Sequence, residues 1–185
     1  AGLHGQELAD WLELAEDGAL RDAGPPAGGV AFDRGRNAAA FTHRFGEDTG
    51  LSGPMTVRLH VRTDGADDPR LFVAVEKWAQ GEPVPFEGSY GYGRDRVAQG
   101  RLRLALRELD PELRTPHQPE HTFRRLQPVR DGEEVEVLIP LSPSSTLFHA
   151  GESLRLLIGG RYLQPRNPLF GHFPGTRIGA VGDFP

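Results

Sequence analysis

Short runs of alternating apolar and polar residues, divided by breaks rich in glycine and proline, constrain this chain more than any other feature. Val57, Leu59 and Val61 alternate with Arg58, His60 and Arg62. Val135, Val137 and Ile139 fall on one side of Glu134–Ile139, and Leu154, Leu156 and Ile158 share one face of Ser153–Gly159. A period of two belongs to strands with one buried and one wet face. Ala38–Phe45 reads as a further strand, and Leu71–Trp78 is apolar almost without a break as far as Val75. Such a run predicts a central strand covered on both faces. Between these runs lie turn signals such as Asp64-Gly65, Asp131-Gly132 and Gly151. The count comes to roughly seven or eight strands with little helix, which is the pattern of an all-β sandwich or barrel.

Gly100–Arg125 is the most distinctive stretch. Leu102, Leu104 and Leu106 alternate with Arg101, Arg103 and Arg107, so a strand is expected over 101–109, with Arg103 and Arg107 on its wet face. Asp110-Pro111 should end it, because proline cannot donate to a ladder. The polar segment beyond, with Pro116 and Pro119, reads as a long ordered loop.

Residues 5–16 read as one short N-terminal helix, since Leu8, Trp11, Leu12 and Ala15 recur at helical spacing and Gly18 would stop it. Asp22–Gly29 is a Pro/Gly turn or linker. The expected division is therefore 1–29, helix plus linker, and 30–185, β-sandwich domain. The opening Ala1-Gly-Leu-His-Gly has the look of a fragment boundary. Gly81–Gly93 is expected to be an irregular, aromatic-rich loop, and Gln164–Phe184 to wrap the surface.

Charge and composition narrow the function. Lys+Arg 21 against Asp+Glu 26 leaves a net charge of −5, with arginines interleaved among acids, so no nucleic-acid partner is expected. No run reaches the ~20 apolar residues that span a bilayer, and no membrane partner is expected. With no cysteine, thiol catalysis, disulfides and Cys-type zinc sites are excluded. That composition suits the cytoplasm without excluding secretion. No cofactor is expected, and self-association stays open.

The pattern G-x-L-R-x-x-x-R-E-L-D-P-E-x-x-T-P-x-x-P-x-H-T-x-x-R, running from Gly100 to Arg125, resembles the C-terminal domain of the CocE/NonD hydrolases. These are relatives of cocaine esterase, X-Pro dipeptidyl-peptidase and the α-amino-acid ester hydrolases. Leu51–Val61, Asp67–Val75 and Leu147–Leu156 are similar to three more family segments, in the family's order, with Glu152 where that pattern often has histidine. The resemblance covers roughly residues 30 to 170. It implies a jelly-roll sandwich of the galactose-binding-like type, non-catalytic in itself. It also implies a partner: the α/β-hydrolase catalytic domain of the same parent chain, whose substrate pocket this domain would help wall.

The family's nucleophile sits in a G-x-S-Y-x-G elbow on a strained strand-to-helix turn. Gly88–Gly93 comes nearest, but Glu87 stands two residues before Ser89, no apolar strand precedes it and no helical pattern follows. The family's Ser, Asp and His have no matching positions here, so no catalytic residue is assigned. His117 and His121 are spaced as on a helix, yet the prolines at 116 and 119 forbid one. A metal-dependent, cupin-like enzyme would have to gather scattered histidines, and no motif does so. His121 and Thr122 are expected to hydrogen-bond loop backbone. Asp64, Asp67 and Asp68 lack the regular spacing of a calcium loop and read as turn residues. The loop aromatics, among them Trp78, Phe86, Tyr90, Tyr92, Phe123 and Tyr162, fit either burial against another domain or, as the alternative reading, a carbohydrate- or ligand-binding surface. Tyr90, Tyr92, Arg103, Arg107, His121 and Tyr162 are the contact candidates, for an interdomain face or for a ligand.

Overall fold

The apolar run Leu71–Val75 sits at the middle of a five-stranded sheet, the largest of four antiparallel sheets among the described residues. A computed structural model of the chain describes residues 13–14, 20–21, 38–65, 68–84, 86–87, 94–115 and 118–163. The long strands are β3 (Ala38–Arg44), β4 (Thr49–Arg62), β5 (Arg70–Ala79), β9 (Ala98–Arg103), β10 (Glu134–Phe148) and β11 (Ser153–Gly159). Two-residue pieces complete the set: β1 (Glu13–Leu14), β2 (Leu20–Arg21), β6 (Glu82–Pro83), β7 (Phe86–Glu87) and β8 (Arg94–Asp95). The structure is thus nearly all β, and its pairings are antiparallel. No helix among the described residues is long and apolar enough to cross a membrane.

One sheet runs β3-β11-β5, with β9 and the short β6 sharing the far edge of β5. The other main sheet is a ribbon of β4 and β10, paired from Glu134 opposite Arg62 to Phe148 opposite Thr49. Alternation aims Leu71, Val73 and Val75 of β5, Leu154, Leu156 and Ile158 of β11, and Val137, Ile139 and Leu141 of β10 into one shared core. Ile139, Phe148 and Leu104 are fully buried there.

The other face of β5 is covered too, as the unbroken apolar run predicts. Phe72 and Ala74 are buried outside the main core. The ring of Tyr162, just past β11, meets Phe72 edge-on at 6.1 Å, and Leu163 closes over Gly159. Further along this face the Arg155 guanidinium lies 4.5 Å over the Trp78 ring, whose Nε1 donates to Glu76.

Gly100 sets the distance between the two sheets at β9. A Cβ there would fall 2.5 Å from the Pro140 carbonyl oxygen and 2.6 Å from Leu141 Cδ2. Only glycine lets β10 cross β9 this closely.

Three expectations need correction. The strand expected over 101–109 ends at Arg103, and Leu104–Leu106 form a 3-10 turn. The reason lies in its partner strand. Pro69, ahead of β5, has no N–H to continue the ladder, and its carbonyl instead takes the Leu104 N–H at 2.9 Å. The Asp68 carboxylate then takes the Ala105 N–H at 3.1 Å. β4 and β10 are far longer than their alternating cores, because a two-stranded ribbon tolerates Pro54, Pro140 and Pro143 on its free edges. A register shift between Leu141 and Ser144 takes up the irregularity. The helix expected over 5–16 falls mostly outside the described residues, but Glu13 and Leu14 are strand, paired with Arg21 and Leu20. The expected Gly81–Gly93 loop carries the short strands β6 and β7 in its described part. The expected surface wrap over Gln164–Phe184 lies outside the described residues.

Candidate interdomain surface

The long connection between β9 and β10 follows directly from the Gly100–Arg125 pattern, and its polar members are used to hold it in shape. Arg103 pairs with Asp68 across the start of β5. Arg107 lies past the 3-10 turn and donates to the carbonyls of Leu104 and Gln127, while the Gln127 N–H returns to Ala105 O at 2.7 Å. Glu108 accepts from Thr122 Oγ1 at 2.8 Å and Arg125 Nη2 at 2.6 Å. Those bonds, the Thr122 hydroxyl first and the Arg125 guanidinium second, hold its carboxyl below the ordinary glutamate range. Backbone pairing of Leu109 with His121, and of the Asp110 N–H with Glu120 O, zips the base of the loop. The Asp110 carboxylate caps the turn at Glu112 and Leu113, and Thr115 Oγ1 accepts from the Gln118 N–H.

His121 is 8% exposed, and its Nε2–H donates to Leu138 O on β10 at 2.9 Å. This pins the loop to the ribbon. A carbonyl partner at Nε2 requires the proton there, and the buried Nδ1 has no hydrogen-bond partner among the described residues. Of the two residues expected to bond loop backbone, His121 instead bonds a strand carbonyl through its ring, while Thr122 bonds both the backbone and the side chain of Glu108 within the loop.

With its interior so fully bonded, the loop turns large apolar side chains outward. Leu113 is 67% exposed, Phe123 62% and Leu126 53%. Phe123 also has φ +50°, a left-handed backbone unusual for a bulky residue. Its ring packs on one side against His121, centroids 5.6 Å apart.

Of the contact candidates, Arg103, Arg107 and His121 gather on this connection, where each makes bonds within the chain. Tyr162 lies apart, against Phe72 on the outer face of the large sheet. Tyr90 and Tyr92 lie outside the described residues. Among the described residues no three His, Asp or Glu side chains come together as a metal-binding group. Leu113 and Leu126 escape a reading of the sequence that weighs aromatics. The available signal was two leucines without periodicity inside a polar, proline-rich segment. Arg96 gives no signal at all in sequence. Its side chain is 12% exposed, 3.1 Å from Glu76; burial lowers its pKa, while Glu76 and Tyr162 oppose that.

At the end of the sandwich, Glu152 takes the Lys77 ammonium at 2.7 Å and the His149 N–H at 2.6 Å. The residue that departs from the resembled pattern thus ties β5 to the β10–β11 turn.

The signature residues of this antiparallel β domain are architectural, and the connection they hold in shape exposes apolar side chains. A sequence profile described as the X-Pro dipeptidyl-peptidase C-terminal non-catalytic domain matches residues 21–177, and the chain belongs to that family. A CocE/NonD family hydrolase from Staphylococcus aureus is 32% identical, with a TM-score of 0.79 over 87% of this chain and 30% of its own. A second structure of a CocE/NonD family hydrolase from the same organism gives 29% identity and a TM-score of 0.71, over 84% and 29%. An α-amino acid ester hydrolase, 17% identical over 90% and 31% of the two chains, shares the fold at a TM-score of 0.58. The chain therefore spans about a third of the length of these relatives. Among proteins with curated descriptions, none matches it.

Proposed function

We propose that this chain is the C-terminal module of a longer CocE/NonD-type serine hydrolase, an acyl esterase or X-Pro dipeptidyl-peptidase. The module packs on the α/β-hydrolase domain and helps shape the substrate pocket without supplying a catalytic group. The family match over residues 21–177, joined to a hydrolase relative of which the chain covers only 30%, carries the reading. The sheet order and the crossing of β9 by β10 support a jelly-roll, galactose-binding-like topology; residues 30–185 are proposed as its domain. The test is hydrolysis of p-nitrophenyl esters and of Ala-Pro-p-nitroanilide by this chain and by its N-terminally extended form. Turnover by the extended chain alone is expected, and the better substrate sorts esterase from peptidase. Equal turnover by both would overturn the proposal.

A further inference from the structure

The connection between β9 and β10 combines three properties rarely found together on a free surface. It is bonded internally at nearly every polar side chain of its pattern. It exposes Leu113, Phe123 and Leu126 by half or more. It holds Phe123 at φ +50° between the bonded residues Thr122 and Arg124, whose N–H groups reach Glu108 O and Thr122 Oγ1. A left-handed backbone at a bulky residue persists only when its surroundings fix it, and exposed large apolar groups on an ordered loop mark interaction surfaces. A rigid aromatic anchor that loses little freedom on binding is the usual centre of such a surface.

We infer that Phe123, flanked by Leu113 and Leu126 on the same connection, is the anchor by which this module docks on the catalytic domain of its own longer chain. The inference rests on the functional reading above and deepens it by naming the face. The occupant follows from the proportions of the relatives: some 70% of the S. aureus hydrolase lies outside the region this chain matches. The chemistry of the socket follows from the loop. Arg114 and Arg124 are exposed beside the anchors, with no side-chain partner among the described residues. The complementary surface is an apolar pocket rimmed by carboxylates.

The experiment uses the N-terminally extended chain with p-benzoylphenylalanine replacing Phe123, irradiated and mapped by mass spectrometry. The unmodified extended chain is first labelled with a fluorophosphonate to locate the nucleophile domain. Crosslinks from position 123 into the labelled domain are the expected result. Labelling with crosslinks confined to residues 1–185, with crosslinks to a second copy, or with none, overturns the docking face while leaving the hydrolase reading intact. An extended chain that takes no label overturns the hydrolase reading itself and the occupant with it. The same photoreactive residue replacing Leu113, on an exposed turn, repeats the test if the variant at 123 does not fold.

Discussion

The Thr122 hydroxyl stands 2.8 Å from the Glu108 carboxylate across fourteen residues of chain, and the Thr122 N–H reaches the Glu108 carbonyl as well. This double tie closes the base of the loop that presents Phe123. Thr122→Val removes the hydroxyl and keeps the shape. With that tie gone, amide exchange of the loop should rise while the core strands keep their protection. Unchanged exchange at Asp110 and Thr122 would show that the loop is held by other means.

Gly100 should tolerate no side chain. An alanine methyl would meet the backbone of Pro140, which cannot move aside as the end of a side chain can. Overpacking of this kind costs about 1–3 kcal/mol. Gly100→Ala should lower the denaturant midpoint accordingly, whereas Gly46→Ala, which meets open space, should leave it nearly unchanged.

His121→Phe keeps a buried ring but removes the donor to Leu138 O. Leaving that carbonyl unpaired costs about 1–3 kcal/mol. Equilibrium unfolding reads the loss, and a variant as stable as the parent would mean that the bond contributes nothing net.

Acid should destabilise the fold in a defined window. Among the described residues, three carboxyls sit below their ordinary values in the folded state. Asp48 is lowered by the Ala150 N–H and then His149, Glu108 by Thr122 and then Arg125, and Glu152 chiefly by Lys77. A depressed folded pKa gives stability that is complete above the unfolded pKa and is lost as pH falls through the folded one. Those unfolded values are 3.8 for Asp and 4.5 for Glu. The melting temperature should therefore hold from pH 7 to about 5 and fall below that, and Asp48→Asn should blunt the fall. A flat profile down to pH 3 would contradict the assignment.

Much of this architecture was legible in the residues. The alternation in Ser153–Gly159 and the unbroken run at Leu71–Val75 report burial directly, and the structure places both as read. The polar segment after Asp110-Pro111 read as an ordered loop for a physical reason: prolines bar helix and ladder, so its polar groups must find local partners. The end of β9 was illegible, because Pro69, some thirty residues earlier, is what ends the pairing at Arg103. The reach of β4 and β10 was hidden as well, since Gly50, Gly53 and Pro143 look like breaks until the strands pair only with each other. The docking face could be read only in part, because nothing local distinguishes an exposed Leu113 from a half-buried Leu109.

The central claim is that this module carries no nucleophile and belongs beside a domain that does. Stoichiometric labelling with a fluorophosphonate probe tests it most directly. The account predicts no adduct on residues 1–185 and one adduct, N-terminal to them, on the extended chain. A stable adduct on this chain alone, with Ser89 the first residue to examine, would contradict it.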